Sequence, residues 1–307
     1  MTTWRDLATK GYVVAPGFLS ADEVSILVDE FRAVSSTETL NPNFDSLRFI
    51  TGVTRARFAP KLVDAARAAG TTMDHVRVGI FYSTSLGLEF DWHTDTSSYY
   101  VNPSFVNFWI PLVKPDRARS GLGVIDAEAF AARCPEIASE LRGRAAIRVV
   151  VRSDKTVFHD TDRLRYFEVP DPDLMDELAV TPELGPGDLL LMRSDVFHRT
   201  QDTDTERLAI SFRAVDSNAT VTRHMLTNMG PAKFNNMARM RAQFARRFAT
   251  FEIAGREALT VREYDAIYLA LEAREIETCR RLGVSELTNH QLEELIDELV
   301  VQSVVGS

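Results

Sequence analysis

The pattern of hydrophobic and polar positions divides the chain into a strand-rich first part and a helical remainder. Residues 207–215 show the alternation most clearly, since Leu208, Ile210 and Phe212 share one face and the residues between them the other. Alternation or short apolar runs predict the other strands, at 12–15, 76–82, 90–95, 103–113, 146–151, 156–158 and 189–192. The acidic segment 160–184 contains several prolines and is predicted to stay on the surface.

Capping signals predict where the main helices begin. A capping box at residues 20–23 opens a helix to about residue 32, and another at 260–263 opens a helix that ends at Gly283. Thr288 opens a last helix, whose apolar face is Leu292, Leu295, Ile296 and Leu299. Further helices are predicted at 2–10, 59–69, 126–145 and 233–248, the last with a solvated basic face that includes Arg246.

These elements predict an α+β protein with a domain at residues 1–225 and a helical extension at 226–307. For the extension a lid, a homodimer contact and a plain packing appendage remain open. The chain has 307 residues, 45% hydrophobic and 26% charged, as in an ordinary globular protein. A net charge of −9 argues against nucleic-acid binding. Two cysteines, no signal-peptide pattern and no membrane-length apolar run lead us to expect a cytoplasmic protein away from membranes.

Two histidines and one acid in the strand-rich part form a candidate metal site. His93 and Asp95 are separated by one residue, so on an extended strand both side chains point the same way. His198 follows a turn at residues 186–188 and a buried apolar run. Two imidazoles and a carboxylate on one face of an ion are the ligand set of the non-haem Fe(II) oxygenases, and they leave the opposite face of the metal open.

An arginine is predicted to lie beside this site. The polar residues 201–206 suit a hairpin in which Thr200 lies opposite Arg207. Arg207 would then be diagonal to His198, about 7–8 Å away between backbones. Arg213 is six residues further along, roughly 20 Å at strand rise. Only one of the two can hold a ligand bound to the metal, and we expect it to be Arg207.

Taken together, these motifs resemble the phytanoyl-CoA hydroxylase-like branch of the Fe(II)/2-oxoglutarate-dependent dioxygenases. The resemblance covers roughly residues 11–215 and is most specific in the ligand set and the arginine. The matching segments are 11–20, 93–95, 107–112, 187–198 and 207–211. The chain departs from the family at 120–130, which lacks the usual Asn-Gly phrase, and at 78–85, which lacks the usual Lys or Gln.

The resemblance implies a double-stranded β-helix, the jelly roll also found in cupins, with flanking helices. It implies that His93, Asp95 and His198 hold Fe(II), and that 2-oxoglutarate and dioxygen are co-substrates. The far carboxylate of 2-oxoglutarate would meet Arg207. Thr200 and Trp109 match positions that contact the co-substrate in relatives. Asn107 faces either the co-substrate or an ordinary hydrogen-bond partner in the core.

The implied reaction is oxidation of a small molecule at an unactivated C–H bond, with release of succinate and carbon dioxide. Halogenases of this family carry Gly or Ala where this chain has Asp95, so we expect hydroxylation and no halogenation; desaturation, cyclisation and epimerisation remain open. The alternatives are a cupin-like metal enzyme that does not use 2-oxoglutarate and a non-catalytic ligand-binding barrel. Candidate residues of the substrate pocket are Tyr82, Trp92, Tyr99, Tyr100 and Arg213. The sequence does not identify the substrate.

Overall fold

The computed structural model describes residues 4–35, 48–86, 89–95, 104–141, 147–160, 163–227, 241–284 and 287–305. The chain forms two compact units, residues 1–99 with 103–216, and residues 100–102 with 217–307. The first unit contains most of the strands and the second is mainly helical. No helix within the described ranges combines the length and apolar character that crossing a membrane requires.

The strands are, in chain order, β1 (Tyr12–Ala15), β2 (Arg48–Phe49), β3 (His75–Ser83), β4 (Val106–Val113), β5 (Leu122–Ile125), β6 (Ile147–Val151), β7 (Thr156–Asp160), β8 (Arg165–Val169), β9 (Ala179–Val180), β10 (Leu189–Arg193), β11 (His198–Thr200), β12 (Leu208–Val215), β13 (Thr220–Thr222) and β14 (Ala258–Thr260). The α-helices are α1 (Asp6–Thr9), α2 (Ala21–Ser35), α3 (Gly52–Ala68), α4 (Ala127–Arg133), α5 (Pro135–Leu141), α6 (Leu174–Leu178), α7 (Arg223–Thr227), α8 (Arg241–Ala254), α9 (Val261–Leu282) and α10 (Asn289–Val305).

Two antiparallel sheets build the first unit. The major sheet has the order β1-β10-β4-β12-β3-β2. The minor sheet consists of β9-β5-β11 and β6-β7-β8, which are joined where His93 bridges His198 of β11 and Arg148 of β6. This arrangement of facing sheets with external helices is the predicted jelly roll.

Apolar side chains fill three layers of this unit. The outer face of the major sheet packs against α2 and α3, through residues such as Phe108, Ile110 and Phe212. Trp109 of the major sheet and Val124 of the minor sheet belong to one buried cluster between the sheets. A third cluster covers the outer face of the minor sheet with side chains of α4 to α6. The space between the sheets therefore holds the remaining inward-facing polar residues.

Several local predictions are confirmed because they depend on neighbouring residues. The first capping box is present, since the Glu23 backbone N–H donates to the Ser20 hydroxyl and the Ser20 N–H donates to the Glu23 carboxylate. The reciprocal bonds of the second box join Thr260 and Glu263, and Gly283 ends that helix with φ of 67°. The predicted apolar face of α10 packs in the core of the helical unit.

Other local predictions are wrong. The helix predicted at 126–145 is two short helices, because the proline at 135 restricts Cys134 to a non-helical conformation. The segment 160–184 contains β8, and Leu174 and Met175 in α6 are fully buried. Helix α3 begins at Gly52, seven residues before the predicted start at 59. In 90–95, among the described residues, only His93 forms bridges to neighbouring strands, so no regular strand is present there.

The predicted hairpin of β11 and β12 is also wrong. β11 pairs with β5 in the minor sheet, whereas β12 pairs with β3 and β4 in the major sheet. Residues 201–206 therefore connect the two sheets instead of forming a tight turn. As a result, Arg207 and Arg213 approach the site from the opposite sheet.

In the helical unit, Arg246 does not lie on a solvated face as predicted. It is buried, and its guanidinium donates to Glu275 at 2.7 Å. The pair joins α8 to α9. A buried arginine that keeps its charge needs such a partner, because an unpaired charge would be costly to remove from water.

The turn between β9 and β10 predicts a measurable difference between two glycines. Gly187 has φ of +82°, and a Cβ there would lie 2.6 Å from the backbone oxygen of Leu19. Gly17 has φ of +63° with nothing within 4 Å of that position. An alanine at either site destabilises the folded state by about 1–2 kcal/mol, because its Cβ disfavours the left-handed conformation. Only the Cβ of Gly187→Ala also clashes with a backbone atom. We therefore expect Gly187→Ala to lower the free energy of unfolding clearly more than Gly17→Ala in urea denaturation; equal losses would contradict this packing.

Candidate metal centre

Three predicted ligands converge between the sheets. The metal-binding atoms of His93, Asp95 and His198 all lie within 4.8 Å of one another. His93 and His198 exchange two backbone hydrogen bonds of 3.0 Å, which places their side chains next to each other on one face. Their ring centroids are 4.4 Å apart. Since these three are the one cluster of this kind found among the described residues, the structure brings the predicted triad together.

Both imidazoles are oriented to offer Nε2 to a metal. Nδ1 of His93 lies 2.6 Å from the backbone oxygen of Asp91, and Nδ1 of His198 lies 3.0 Å from that of Val196. A carbonyl oxygen only accepts, so each Nδ1 carries the proton and donates. The Nε2 lone pairs are then free, and they lie 3.9 and 3.8 Å from the Asp95 carboxylate. Such bonds from the second ring nitrogen are typical of metal-binding histidines.

The Asp95 carboxylate is held by two residues of the major sheet. Nη2 of Arg213 lies 3.1 Å from Oδ1, and the Asn107 side-chain amide donates to Oδ2. The Ser211 hydroxyl donates to the Asn107 side-chain oxygen, which fixes the orientation of the amide. Asn107 and Arg213 are themselves paired across β4 and β12. The carboxylate therefore has a fixed orientation, which a metal ligand needs.

The surroundings of Asp95 and His93 keep these two ligands in protonation states that bind a metal. Burial would raise the pKa of Asp95, but Arg213 and the two imidazoles lower it below its ordinary value. Burial and the neighbouring His198 lower the pKa of His93 to about 4, with a smaller contribution from Arg148. At neutral pH the carboxyl group is therefore ionised and the His93 ring is neutral.

Arg213 lies closer to the triad than the sequence predicted. The estimate of roughly 20 Å assumed a hairpin with β11, whereas β12 belongs to the facing sheet and brings Arg213 directly to Asp95. Tyr82 lies on the paired strand β3, where burial raises the pKa of its hydroxyl and the nearby Arg213 guanidinium partly opposes this. Tyr82 also packs edge-on against Phe90, whose ring in turn lies 5.7 Å from that of His93. Tyr82 and Arg213 thus border the triad, and their role in a substrate pocket stays a prediction.

Arg207 is a buried cation beside the strand that carries His198. Its side chain is 2% exposed, and Nη1 donates to the backbone oxygens of Ser120 at 3.1 Å and Gly121 at 3.5 Å. Its Nε has no hydrogen-bond partner in the described part of the chain. Burial lowers the pKa of Arg207, although the Asp202 carboxylate partly opposes this.

The hydrogen-bond ladder between β5 and β11 gives the distance between Arg207 and the triad. His198 pairs with Val124, and the Gln201 backbone N–H donates to the Gly121 oxygen that Arg207 also contacts. Three residues separate His198 from Gln201, which is roughly 10 Å at strand rise. A five-carbon diacid that binds a metal at one end spans a gap of this size.

Ser120 is a residue that sequence reasoning missed. It has φ of +52°, a conformation that a serine rarely adopts. Its hydroxyl and its N–H both donate to Asp202, and this holds its carbonyl towards Arg207. Strained backbone of this kind is typical of functional sites. The available signal was the departure from the family pattern in 120–130.

Two other predicted co-substrate residues lie between the sheets. Trp109 packs in the inner cluster beside Ala209, and Thr200 is buried next to Leu122 of β5. The Thr200 hydroxyl accepts a hydrogen bond from the Phe90 N–H, so it also holds the segment that leads to His93.

One predicted pocket residue is not brought to the triad, and two others lie outside the described residues. Trp92 lies in the outer cluster of the minor sheet, because successive residues of an extended segment point to opposite faces and His93 points inward. Its indole contacts Arg199 instead. The expectation that Trp92 lines the pocket is therefore replaced by a packing role. Tyr99 and Tyr100 lie outside the described residues.

Solved structures with this fold include several non-haem enzymes. The α-ketoglutarate-dependent carbocyclase SnoK from nogalamycin biosynthesis is 16% identical, with a TM-score of 0.50 over 71% of this chain and 84% of SnoK. The epimerase SnoN from the same pathway is 17% identical, with a TM-score of 0.47 over 71% of this chain and 83% of SnoN. EctD from S. alaskensis, solved with 2-oxoglutarate and 5-hydroxyectoine, is 17% identical, with a TM-score of 0.47 over 71% of this chain and 76% of EctD.

The similarity to SnoK shows a common fold, and the predicted double-stranded β-helix is confirmed. No protein-family model and no curated protein matches the sequence. Any assignment of activity therefore depends on the site itself.

Proposed function

We propose that this protein is an Fe(II)- and 2-oxoglutarate-dependent oxygenase of the phytanoyl-CoA hydroxylase-like kind. It hydroxylates a small molecule, or oxidises it otherwise at an unactivated C–H bond, and releases succinate and carbon dioxide. The observation that carries the proposal is the combination of a triad of two imidazoles and a carboxylate with a buried arginine that forms no ion pair among the described residues, roughly 10 Å along the same ladder.

The residues fit both absent groups. Nitrogen and carboxylate oxygen on one face of an ion suit Fe(II) and leave positions open for further ligands. Arg207, whose buried Nε lacks a protein partner among the described residues, suits the distal carboxylate of 2-oxoglutarate. When bound, iron and 2-oxoglutarate supply the activation of dioxygen.

The chain's own residues orient the reactants and exclude water. Arg207 fixes one end of 2-oxoglutarate, and the buried apolar cluster that contains Trp109 and Leu122 excludes water from the space between the sheets. Asn107 and Arg213 keep the Asp95 carboxylate in one orientation. Asp95 also fills the position that a halide occupies in halogenases of the family, so the proposed reactions exclude halogenation.

Arg207 argues against the two alternative functions. A cupin-like enzyme that binds only a metal gives no reason to bury an arginine that forms no ion pair within the described ranges, since removing a charge from water costs several kcal/mol. A non-catalytic barrel gives no reason to keep three ligands with fixed tautomers and orientation. A small-molecule substrate is consistent with the location of the site between the two sheets.

The anaerobic complex with Fe(II) and 2-oxoglutarate tests the proposal. Chelation of Fe(II) by the keto acid produces a visible charge-transfer band, and we expect the band only when both components are present. Succinate should form when oxygen is admitted. A protein that binds iron but shows no band at saturating 2-oxoglutarate would support the alternative enzyme without 2-oxoglutarate, and one that binds no iron would support the non-catalytic barrel.

The contact between Asn107 and Asp95 predicts a weaker metal site in Asn107→Leu, which keeps the side-chain volume but loses the donor. Loss of such a partner of a metal ligand typically lowers metal affinity about 10–100-fold. Titration with Co(II) followed by visible absorption measures the change. Ser211→Ala, which removes only the group that orients the amide, should have a smaller effect. Unchanged affinity in Asn107→Leu would show that Asp95 does not depend on this bond.

A further inference from the structure

A row of side chains extends from the triad across the minor sheet. The register pairs His93 with Arg148, Arg148 with His159, and His159 with Tyr166. Directly paired residues in neighbouring strands project to the same face of a sheet. Arg148, His159 and Tyr166 therefore share the face that carries His93 and His198.

The packing of the opposite face supports this assignment. The residues next to the row in sequence, Trp92, Ile147, Phe158, Phe167 and Phe197, all lie in or against the outer cluster under α4 to α6. Strict alternation then requires their neighbours to face the site. Strands are about 4.8 Å apart, so the row covers roughly 14 Å from His93 to Tyr166.

Arg148 is an exposed cation in this row. No carboxylate of the described residues forms an ion pair with it, in contrast to Lys155 in the turn between β6 and β7, which pairs with Glu168 at 2.9 Å. A guanidinium next to a metal ligand and open to solvent is a ready site for a carboxylate or a phosphate.

The rest of the row offers apolar and aromatic contacts. The rings of His159 and Tyr166 are stacked, with centroids 4.3 Å apart and planes 9° from parallel. Tyr166 is 63% exposed, and Val150, two residues from Arg148 on the same face, is 49% exposed. Nε2 of His159 is a buried atom with no hydrogen-bond partner among the described residues. Stacked rings and exposed apolar side chains of this kind can bury the apolar part of an organic molecule.

We propose that Arg148 binds the acid group of the substrate, and that the substrate is an organic anion whose apolar part lies against Val150 and the His159–Tyr166 pair. This inference rests on the proposed function and specifies its substrate class. Arg207 remains the anchor of 2-oxoglutarate, since it is buried and Arg148 is exposed. Arg148 is thus a residue that determines specificity.

The test uses the full chain and a panel of compounds in three matched forms: carboxylic acids, the primary amides of the same acids, and phosphate monoesters of the corresponding alcohols. Binding to the metal-free protein is measured by saturation-transfer NMR, with excess 2-oxoglutarate present so that Arg207 is occupied. Succinate formation by the Fe(II)-loaded protein is measured in parallel. We expect the carboxylic acids, the phosphate monoesters or both to bind, and the uncharged amides to bind far more weakly. The form that binds more tightly shows whether Arg148 prefers a carboxylate or a phosphate.

Arg148→Gln should weaken binding of the acids about 10- to 100-fold, the usual effect of losing a charged hydrogen bond. Arg165→Gln is the matched control, because Arg165 is exposed on the same sheet but lies next to Tyr166 in sequence and so faces the other side. We expect it to bind like the wild type. Equal binding of acids and amides, failure of all acids to bind, or equal losses in both variants would overturn the inference.

The charge-transfer band separates this inference from the proposed function. Arg148→Gln should keep the band with Fe(II) and 2-oxoglutarate, because the ligand triad and Arg207 are unchanged. Absence of the band in the wild type would overturn the proposed function, whereas a normal band with no preference for acids would overturn only the role of Arg148.

Discussion

His93→Ala and His198→Ala should each abolish tight Fe(II) binding. Each substitution removes one of three ligands, and the ring that it deletes is already oriented by a bond from Nδ1. We expect the metal affinity to fall well beyond the 10–100-fold that loss of an outer partner costs, and so by at least about 100-fold. Iron content after anaerobic loading and desalting, together with a Co(II) titration, measures the loss.

His290→Ala provides the control for these variants. His290 lies on α10, where it contacts Glu294 at 3.4 Å and is largely exposed. Its removal should leave iron content unchanged. Thermal unfolding of the metal-free proteins should show that the ligand variants remain folded. Retention of stoichiometric iron by both ligand variants would contradict the assignment of the metal centre.

Arg207→Ala should produce the second large effect, an increase of about 100-fold or more in the concentration of 2-oxoglutarate needed for the charge-transfer band. A bidentate pair makes two charge-assisted hydrogen bonds, and each contributes about 1.5–3 kcal/mol. Metal binding should remain close to normal, because Arg207 contacts the backbone of Ser120 and Gly121 and none of the ligands. Arg207→Lys should recover part of the affinity, since it keeps the charge but not the planar fork.

Variants of two other arginines test whether the effect of Arg207→Ala comes from the loss of a specific anchor or from the loss of any positive charge. Arg119 is half exposed and pairs with Asp204, close in sequence to Ser120, so Arg119→Gln should leave the dependence on 2-oxoglutarate unchanged. Arg213→Gln should act mainly on metal affinity, because its partner is the Asp95 carboxylate. If Arg213→Gln alone raised the requirement for 2-oxoglutarate, the anchor would be misassigned.

The main strands and helix starts could be predicted because their signals are local. The capping boxes at Ser20 and Thr260 depend on residues three positions apart, and the convergence of His93 and Asp95 depends on a spacing of two. Even so, the break at Cys134 and the buried segment around Leu174 were missed. The first was missed because the helix was predicted to continue through the proline at 135. The second was missed because the acidic composition of 160–184 was taken to mean that the whole segment is exposed.

The sequence also carried enough information to predict the three residues that converge in the candidate metal site, whereas the argument for Arg207 used a wrong register. The selection rested on the assumption that β11 and β12 form a hairpin. The structure places these strands in facing sheets, and Arg207 reaches the backbone of Ser120 and Gly121, just before β5, from the other side. The role of Arg207 as the anchor stays a prediction, which now rests on its burial and its partners instead of the hairpin.

By itself, the sequence determined the strand-rich core, the helix caps, and the residue types able to bind a metal, because each depends on chemistry within a few neighbouring residues. Only the tertiary structure decided which strands face each other, and with that the partners of each charge. Arg213 and Asp95 are 118 residues apart in the chain, and the row from His93 to Tyr166 joins four separate segments. Contacts at such distances follow from sheet order and register, which the alternation of single strands does not specify.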